Sequence, residues 1–178
     1  MRLAARWRRS SALLLIFGGL AVAADQPKGQ TTALIPATQR KPTAAFSLKD
    51  ASGKTATLKE YRGKVVLLDF WATWCHGCTE EIPWFSDFQK SYGGKGLAVI
   101  GASMDEGGWN VLKPFLAARP VPYRMLLADE ALAKQYGIEN LPDTFLIDRK
   151  GRIAAAYLAT LVDKDDVDSK IKTLLAER

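Results

Sequence analysis

The sequence is poor in the residues that most often hold metals or cofactors. Its 178 residues include two cysteines, Cys75 and Cys78, and a single histidine, His76. Three such ligands fall short of the four that zinc normally takes, so a metal-binding module is the weaker of two readings of this cluster. Covalent haem attachment needs a histidine directly after the second cysteine, where this chain has Thr79. The sequence therefore predicts neither a metal nor a cofactor.

The chain also lacks an apolar run of the roughly 20 residues that a membrane-spanning helix needs. A shorter run, Ala12 to Ala24, follows four arginines and ends in the small residues Ala21-Val22-Ala23. A basic head, a short apolar core and a small-residue exit predict a secretory signal peptide over residues 1–23, cleaved near Ala23. An uncleaved N-terminal membrane anchor is the alternative. We therefore expect an exported, periplasmic or otherwise extracytoplasmic protein.

A strong charge of one sign is missing from the rest of the chain. The net charge of +6 comes from 25 basic and 19 acidic residues, and four of the arginines lie within the first ten positions. Without those four the balance is 21 basic against 19 acidic residues, or +2. A nearly neutral body gives no support for a nucleic-acid partner.

Beyond the signal, the sequence predicts a linker and one α/β domain. Residues 24–43 are rich in Thr, Gln, Pro and Lys, which is typical of a flexible linker. From residue 44 to 178, apolar strand patterns alternate with helical ones, and a hairpin and a helix close the chain. This order predicts an α/β sandwich around a mixed central sheet. We expect strands over 45–50, 55–58, 64–71, 96–103, 123–127, 144–148 and 152–158, and helices over 75–92, 109–118, 129–136 and 163–176.

The two cysteines stand where redox chemistry would place them. A disulfide that closes so small a loop gains little stability from chain entropy, so the pair is better interpreted as redox-active or metal-binding than as a structural staple. It follows a strand with the pattern of full burial and opens a helix. The N–H groups and dipole at a helix N-terminus stabilise a thiolate, so Cys75 could attack a disulfide and Cys78 could resolve the mixed disulfide.

A family resemblance covers residues 42 to 176. The segment Asp69-Phe70-Trp71-Ala72-Thr73-Trp74-Cys75-His76-Gly77-Cys78 resembles the active-site segment of thioredoxins. The continuation Thr79-Glu80-Glu81-Ile82-Pro83 is similar to the exported TlpA-like branch. The resemblance implies a thioredoxin-like three-layer sandwich with an N-terminal strand extension and an inserted βα unit. It also implies a thiol-disulfide oxidoreductase that reduces disulfides of exported proteins, in some members for cytochrome c maturation, and that a membrane thiol reductant recycles.

Three residues beside the cysteines are candidates for a role, which the resemblance implies for Asp69 and Glu81 and which its position beside Cys75 suggests for His76. Asp69 lies in an apolar strand, so burial should raise its pKa, and it would take the proton of Cys78 during resolution. Its alternative role is to accept a backbone hydrogen bond. Glu81, one helical turn past Cys78, would tune the pair's acidity or be an exposed helix acid. His76 would lower the pKa of Cys75 as an imidazolium, or be an exposed residue without a special role.

The resemblance also implies a substrate-docking surface. Trp74 would contact the substrate, and a cis peptide bond between Leu141 and Pro142 would lie against the cysteines. Leu141 would then offer its backbone to a substrate segment as an added strand. The family usually has Thr or a small residue after this proline, whereas this chain has Asp143. A carboxylate there is expected to disfavour acidic partners and to affect thiolate stability.

Two rival functions remain open from sequence. A peroxiredoxin-like thiol peroxidase or antioxidant protein would need proline and threonine or serine at fixed positions before its cysteine, but Leu68 and Ala72 occupy those positions before Cys75. A purely structural disulfide would resist reduction by glutathione.

Overall fold

The computed structural model describes residues 29–177, so the predicted signal peptide and its cleavage site lie outside the described residues. Seven strands and four α-helices make up this part of the chain. The strands are β1 (Ser47–Lys49), β2 (Thr55–Thr57), β3 (Val65–Trp71), β4 (Leu97–Ser103), β5 (Arg124–Leu127), β6 (Asp143–Ile147) and β7 (Ile153–Tyr157). The helices are α1 (His76–Tyr92), α2 (Trp109–Ala118), α3 (Glu130–Tyr136) and α4 (Lys164–Ala176). Within residues 29–177, none of the helices has both the length and the apolar character needed to cross a bilayer.

All seven strands form one mixed sheet in the order β2-β1-β5-β4-β3-β6-β7. Strands β3 and β4 lie at its centre, pair in parallel from Val65 opposite Leu97 to Trp71 opposite Ser103, and are buried along their whole length. This is the environment that near-continuous apolar runs predict. The α/β sandwich with a mixed central sheet is therefore confirmed.

Each face of the sheet is covered by its own apolar core. Alternate residues of β3 point to opposite faces, so Leu67 and Trp71 pack with α1, α2 and α4, whereas Leu68 and Phe70 pack with α3 and the segment around β1. Burial of each large apolar side chain contributes about 1.5–3 kcal/mol. The elements that cover the two faces form the outer layers of the predicted three-layer arrangement, and the two cores lie between them and the sheet.

The two predicted additions to a minimal thioredoxin are present at one edge of the sheet. The hairpin β1–β2 is the N-terminal strand extension, and β1 pairs antiparallel with β5 at Lys49 and Leu127. The inserted unit is α2 followed by β5, which pairs in parallel with β4. The opposite edge is the antiparallel hairpin β6–β7, as the sequence predicts.

The prediction of a flexible linker over residues 24–43 needs correction from Gln30 onward. Gln30 forms a parallel bridge with Val162, and Ile35 N donates to Ala154 O at 2.8 Å. Further along, Ile153 N donates to the carbonyl of Lys41. The segment therefore runs along β7, where its backbone hydrogen bonds find partners that a local pattern of polar residues does not reveal.

Arg40 holds this N-terminal segment to the end of the chain. Its guanidinium is almost fully buried. It donates hydrogen bonds to Asp148 Oδ2 at 3.3 Å and to Glu177 Oε1 at 2.8 Å. Removing one partner from a buried ion pair is costly because the other charge stays desolvated. This ion pair explains why residues rich in polar side chains take a fixed position against the domain.

Candidate active site

Cys75 occupies the N-cap position of α1. Its Sγ accepts a hydrogen bond from Cys78 N at 3.2 Å, and the two cysteines form a disulfide with their Cα atoms 5.3 Å apart. Cys75 is 8% exposed, whereas Cys78 is fully buried. The sequence therefore correctly predicts the pair at the helix N-terminus, and Cys75 is the more exposed cysteine of the two.

The turn that leads from β3 to Cys75 is held by Asp105. Thr73 N donates to both carboxylate oxygens of Asp105, at 3.2 and 3.0 Å, and Thr73 Oγ1 donates to Oδ1 at 2.7 Å. Ser103, at the end of β4, donates from Oγ to Oδ2 at 2.8 Å. This arrangement leaves the neighbouring Trp74 70% exposed beside the cysteines. Our sequence reasoning missed Asp105, although an acid at the carboxyl end of a parallel strand was a usable signal.

Asp69 lies in β3 on the face that α1 covers, and it is 1% exposed. Thr144 Oγ1, on the adjacent strand β6, donates to Asp69 Oδ1 at 3.3 Å. Burial raises the pKa of Asp69 well above its usual range because a carboxylate is poorly solvated there, the Thr144 hydrogen bond opposes the rise, and Asp143 adds to it. The predicted rise in pKa is therefore confirmed, while the role of Asp69 in proton transfer stays a prediction.

Glu81 lies on the buried face of α1 and is fully buried, so the alternative of an exposed helix acid is wrong. Its Oε1 accepts a hydrogen bond from Val162 N at 2.7 Å, and its Oε2 is buried without a hydrogen-bond partner in the described part of the chain. Burial is the main cause that raises the pKa of Glu81, and the nearby Asp69 raises it further. Two buried carboxyls that repel one another favour states in which at least one carries a proton.

Tyr123 adds a third buried polar group that our sequence reasoning missed. Its hydroxyl has no hydrogen-bond partner within residues 29–177. Burial is the main cause that raises the pKa of this phenol, and Asp69 and Glu81 raise it further. Tyr123 precedes β5 and packs in the same core as α1. A tyrosine at the start of a buried strand has no sequence feature that distinguishes it from an ordinary core residue.

His76 extends into solvent at the start of α1. Its side chain is 91% exposed, and Nε2 lies 3.0 Å from Glu80 Oε1. An exposed ion pair of this kind is worth little and is screened by salt. Tuning of Cys75 by His76 stays a prediction, and it would have to act through solvent and beside the opposing charge of Glu80.

The predicted cis peptide bond between Leu141 and Pro142 is present. Pro142 lies beside the dithiol motif, since a Cβ added to Gly77 would be 3.8 Å from Pro142 Cδ. A groove of about 390 Å³ opens next to it, lined by Trp74, Met104 and residues 138–141. The structure thus brings Trp74, Leu141 and Pro142 together, as the docking prediction requires. Within residues 29–177, no group of three or more His, Cys, Asp or Glu residues is arranged to hold a metal ion.

Comparisons with known proteins agree with this geometry. The family described as the AhpC/TSA family matches residues 40–156. The thioredoxin-like protein YneN of Bacillus subtilis is 33% identical over 67% of this chain and 71% of its own length. The thiol-disulfide oxidoreductase ResA of Geobacillus thermodenitrificans is 30% identical over 72% of this chain and 74% of its own length.

A solved structure supports the same assignment. A putative thiol:disulfide interchange protein DsbE from Chlorobium tepidum superposes with a TM-score of 0.72 at 28% identity, and the match covers 77% of this chain and 97% of that one. Its fold and the sequence relatives agree with the dithiol at the start of α1. The chain therefore belongs to the AhpC/TSA family and, within it, to the thioredoxin-like, TlpA-like thiol-disulfide oxidoreductases.

Proposed function

We propose that this protein reduces disulfide bonds of exported proteins through Cys75 and Cys78. The observation that carries the proposal is the disulfide at the N-terminus of α1, in which Cys75 keeps 8% exposure whereas Cys78 is fully buried. The helix N-terminus stabilises a thiolate on Cys75, the form that attacks a disulfide. The names of the relatives, which include thiol-disulfide oxidoreductase and thiol:disulfide interchange protein, agree with this chemistry.

The reaction proceeds in two exchange steps from the dithiol form. The Cys75 thiolate attacks one sulfur of a substrate disulfide, so a mixed disulfide forms and the other substrate sulfur leaves as a thiolate. Cys78 then loses its proton and attacks Cys75 Sγ, which releases the second substrate sulfur and forms the Cys75–Cys78 disulfide. Two electrons pass in total from the protein to the substrate, whose two sulfurs leave as thiolates and take up protons from solvent.

Asp69 and Glu81 are suited to handle the proton of Cys78. Both lie in the buried region that α1 covers, and burial raises both pKa values above the usual range of carboxyl groups. A general base works best when its pKa is close to the operating pH. Whichever of the two carboxyls is ionised can therefore accept the Cys78 proton in the second step, and the raised pKa values make that carboxylate a stronger base.

The groove beside Trp74 is the proposed docking surface. Trp74 offers an exposed aromatic face. Leu141 lies just before the first residue of β6 and forms the cis peptide bond with Pro142. An extended substrate segment can pair with the Leu141 backbone and bring its disulfide to Cys75, as in β-strand addition. His76, exposed at the same helix end, would tune the acidity of Cys75 by charge alone.

The N-terminal pattern of the sequence supports the proposed location, and the family resemblance supports the proposed recycling partner. A signal peptide over residues 1–23 would deliver the domain outside the cytoplasm, where its oxidised form needs a source of electrons. We propose a membrane thiol reductant as that source. Apocytochromes among the substrates would place the protein in cytochrome c maturation.

The test combines an activity assay with trapping. The reduced protein should reduce insulin, Cys75→Ser should abolish this activity, and Cys78→Ala should accumulate mixed disulfides with its substrates. Identification of the trapped proteins by mass spectrometry names the substrates, and the double variant lacking both cysteines is the matched control. Activity that survives Cys75→Ser would overturn the proposal. The peroxidase alternative instead predicts consumption of hydrogen peroxide at a rate independent of any added dithiol protein.

A further inference from the structure

The loop from Leu158 to Val162, here called the wall loop, stands beside the dithiol motif. It connects β7 to α4. A Cβ added to Gly77 would lie 3.4 Å from Leu161 Cδ2, so the wall loop packs next to Gly77, one of the two residues between the cysteines. Leu158 is 53% exposed although it is a large apolar residue. The wall loop therefore borders the surface by which a protein substrate would approach Cys75.

The C-terminal end of the wall loop is held by two separate parts of the chain. Glu81 Oε1 accepts the hydrogen bond of Val162 N at 2.7 Å. Gln30 N donates to Leu161 O at 2.7 Å, and Asp163 N donates back to Gln30 O at 3.0 Å. This end is consequently fixed from α1 on one side and from the N-terminal segment on the other.

The N-terminal end of the wall loop is held by two adjacent residues of the cis-proline region. Thr160 N donates to Pro142 O at 3.2 Å. Ala159 N donates to Asp143 Oδ1 in a short hydrogen bond. Of these two contacts, the one from Asp143 uses a side chain, so a substitution can remove it without changing the backbone.

Ala159 needs such a contact because of its backbone conformation. Its φ is +54°, and among the non-glycine residues of 29–177 it alone is in this left-handed region. The left-handed conformation is unfavourable for a residue with a Cβ. The hydrogen bond from Ala159 N to the Asp143 carboxyl offsets that cost and holds the loop in place.

Asp143 is itself a carboxyl in a buried position. It is 2% exposed, lies at the start of β6 and pairs with Phe70 of β3. Burial of an acid without partners is unfavourable, so its retention needs a compensating contact. The Ala159 N–H supplies that contact and opposes the rise in the pKa of Asp143 that burial causes.

We propose that Asp143 is a positioning residue that holds Ala159, and with it the wall loop, so that the approach to Cys75 is formed before a protein substrate arrives. The inference rests on the proposed dithiol function and deepens it. Asp143 acts through the wall loop and not on the reacting sulfurs. A preorganised surface binds a partner more tightly because less ordering is required on binding. The effect should therefore appear with protein substrates and be absent with a small disulfide that does not contact the wall loop.

The experiment compares insulin with the small disulfide DTNB, 5,5′-dithiobis(2-nitrobenzoic acid), as substrates of the reduced full-length protein. Asp143→Ala should raise the KM for insulin about five- to tenfold, the equivalent of one net hydrogen bond, and leave DTNB reduction within about twofold. Asp143→Asn should stay close to the unaltered protein, because its amide oxygen can still accept from Ala159 N. The matched control is Asp129→Ala. It removes a comparable hydrogen bond at the start of α3, in which Leu132 N donates to Asp129 Oδ1 at 2.7 Å.

Amide hydrogen exchange provides a second, direct readout. In Asp143→Ala, the amides of Ala159 and Thr160 should exchange about tenfold faster, while Asp129→Ala leaves them unchanged. If Asp143→Ala does not fold, Asp143→Ser replaces it, since the serine hydroxyl is one bond shorter than the carboxylate.

Three results would overturn the proposal. They are an unchanged insulin KM in the alanine variant, a parallel loss of insulin and DTNB reduction, and unchanged exchange at Ala159 and Thr160. Failure of the unaltered protein to reduce either substrate would contradict the dithiol function instead, and the exchange rates would still decide the loop contact.

Discussion

Replacing Asp69 by asparagine should stabilise the oxidised protein at neutral pH. Asp69 is 1% exposed, and burial raises its pKa to about 8, whereas an unfolded aspartate has a pKa of about 3.9. An acid whose pKa is raised on folding must bind a proton as the chain folds. The free energy of unfolding therefore falls as the pH rises from about 4 towards the folded-state pKa.

The size of the effect at pH 7 follows from these values. Each pH unit between the unfolded pKa and the working pH costs about 1.4 kcal/mol, so at pH 7 the cost is at most about 4 kcal/mol. The bound depends on the pH and on the unfolded pKa, because the folded pKa lies above 7. Asparagine avoids this cost, but its NH₂ group needs a partner in the same buried place, at a cost of about 1–3 kcal/mol. We expect a net gain of about 1–3 kcal/mol at pH 7 and a net loss of about 0.5–2.5 kcal/mol at pH 4, where the cost of the aspartate is small but that of the amide remains.

The assay is urea unfolding of the oxidised protein at pH 4 and pH 7. Asp105→Asn is the matched control, because Asp105 is also buried but accepts hydrogen bonds from Thr73 and Ser103. Its conversion to an amide turns one acceptor into a donor, so this variant should lose about 1–3 kcal/mol at pH 7. If Asp69→Asn has the same stability as the unaltered protein at both pH values, or if both variants gain equally, an unfavourable buried charge at Asp69 is refuted.

Three further predictions concern docking, proton transfer and the N-terminal segment. Trp74→Ala should raise the KM for insulin several-fold and change the free energy of unfolding by less than about 0.5 kcal/mol, because Trp74 is 70% exposed; an equal KM effect from Val111→Ala, at a residue 40% exposed on α2, would contradict a specific docking role. Glu81→Gln keeps an acceptor for Val162 N and should remove the rise in the rate of insulin reduction towards about pH 9, since a base must be ionised to act and burial raises the pKa of Glu81 to about 9; an unchanged profile from pH 6 to 10 would exclude Glu81 from proton transfer. Arg40→Met should lower the free energy of unfolding by about 2 kcal/mol, because it leaves Asp148 buried without one of its cationic partners; urea unfolding that matches the unaltered protein would show that the N-terminal segment does not depend on this contact.

The order of elements could be predicted because the sequence patterns that specify them are local. The run Val65–Trp71 is apolar along its whole length, which predicts a strand buried on both faces, and the structure places it at the centre of the sheet. The helix that follows is predicted from apolar residues at helical spacing and begins directly after Cys75. The disulfide and the helix N-terminus follow from this local order, since only two residues separate Cys75 from Cys78.

The surroundings of the cysteines could not be predicted in the same way. The position of Glu81 in the helix is compatible with either an exposed or a buried side chain. The structure settles its burial through Val162, which is 81 residues away in the chain. Likewise, the polar composition of residues 30–43 suggests a linker, and only their hydrogen bonds to β7 and the buried Arg40 show a fixed segment.

The sequence by itself thus determined the α/β architecture and the dithiol at a helix N-terminus, because each depends on residues close together in the chain, and the family resemblance implied the cis-proline. Only the tertiary structure decided that Glu81 is buried beside the dithiol and what holds the wall loop. Asp143 and Ala159 meet across the edge of the sheet, and Asp69 and Glu81 share one buried region because α1 packs on β3. The cost of burying a charge depends on all the neighbours that exclude water, and those neighbours come from distant parts of the chain.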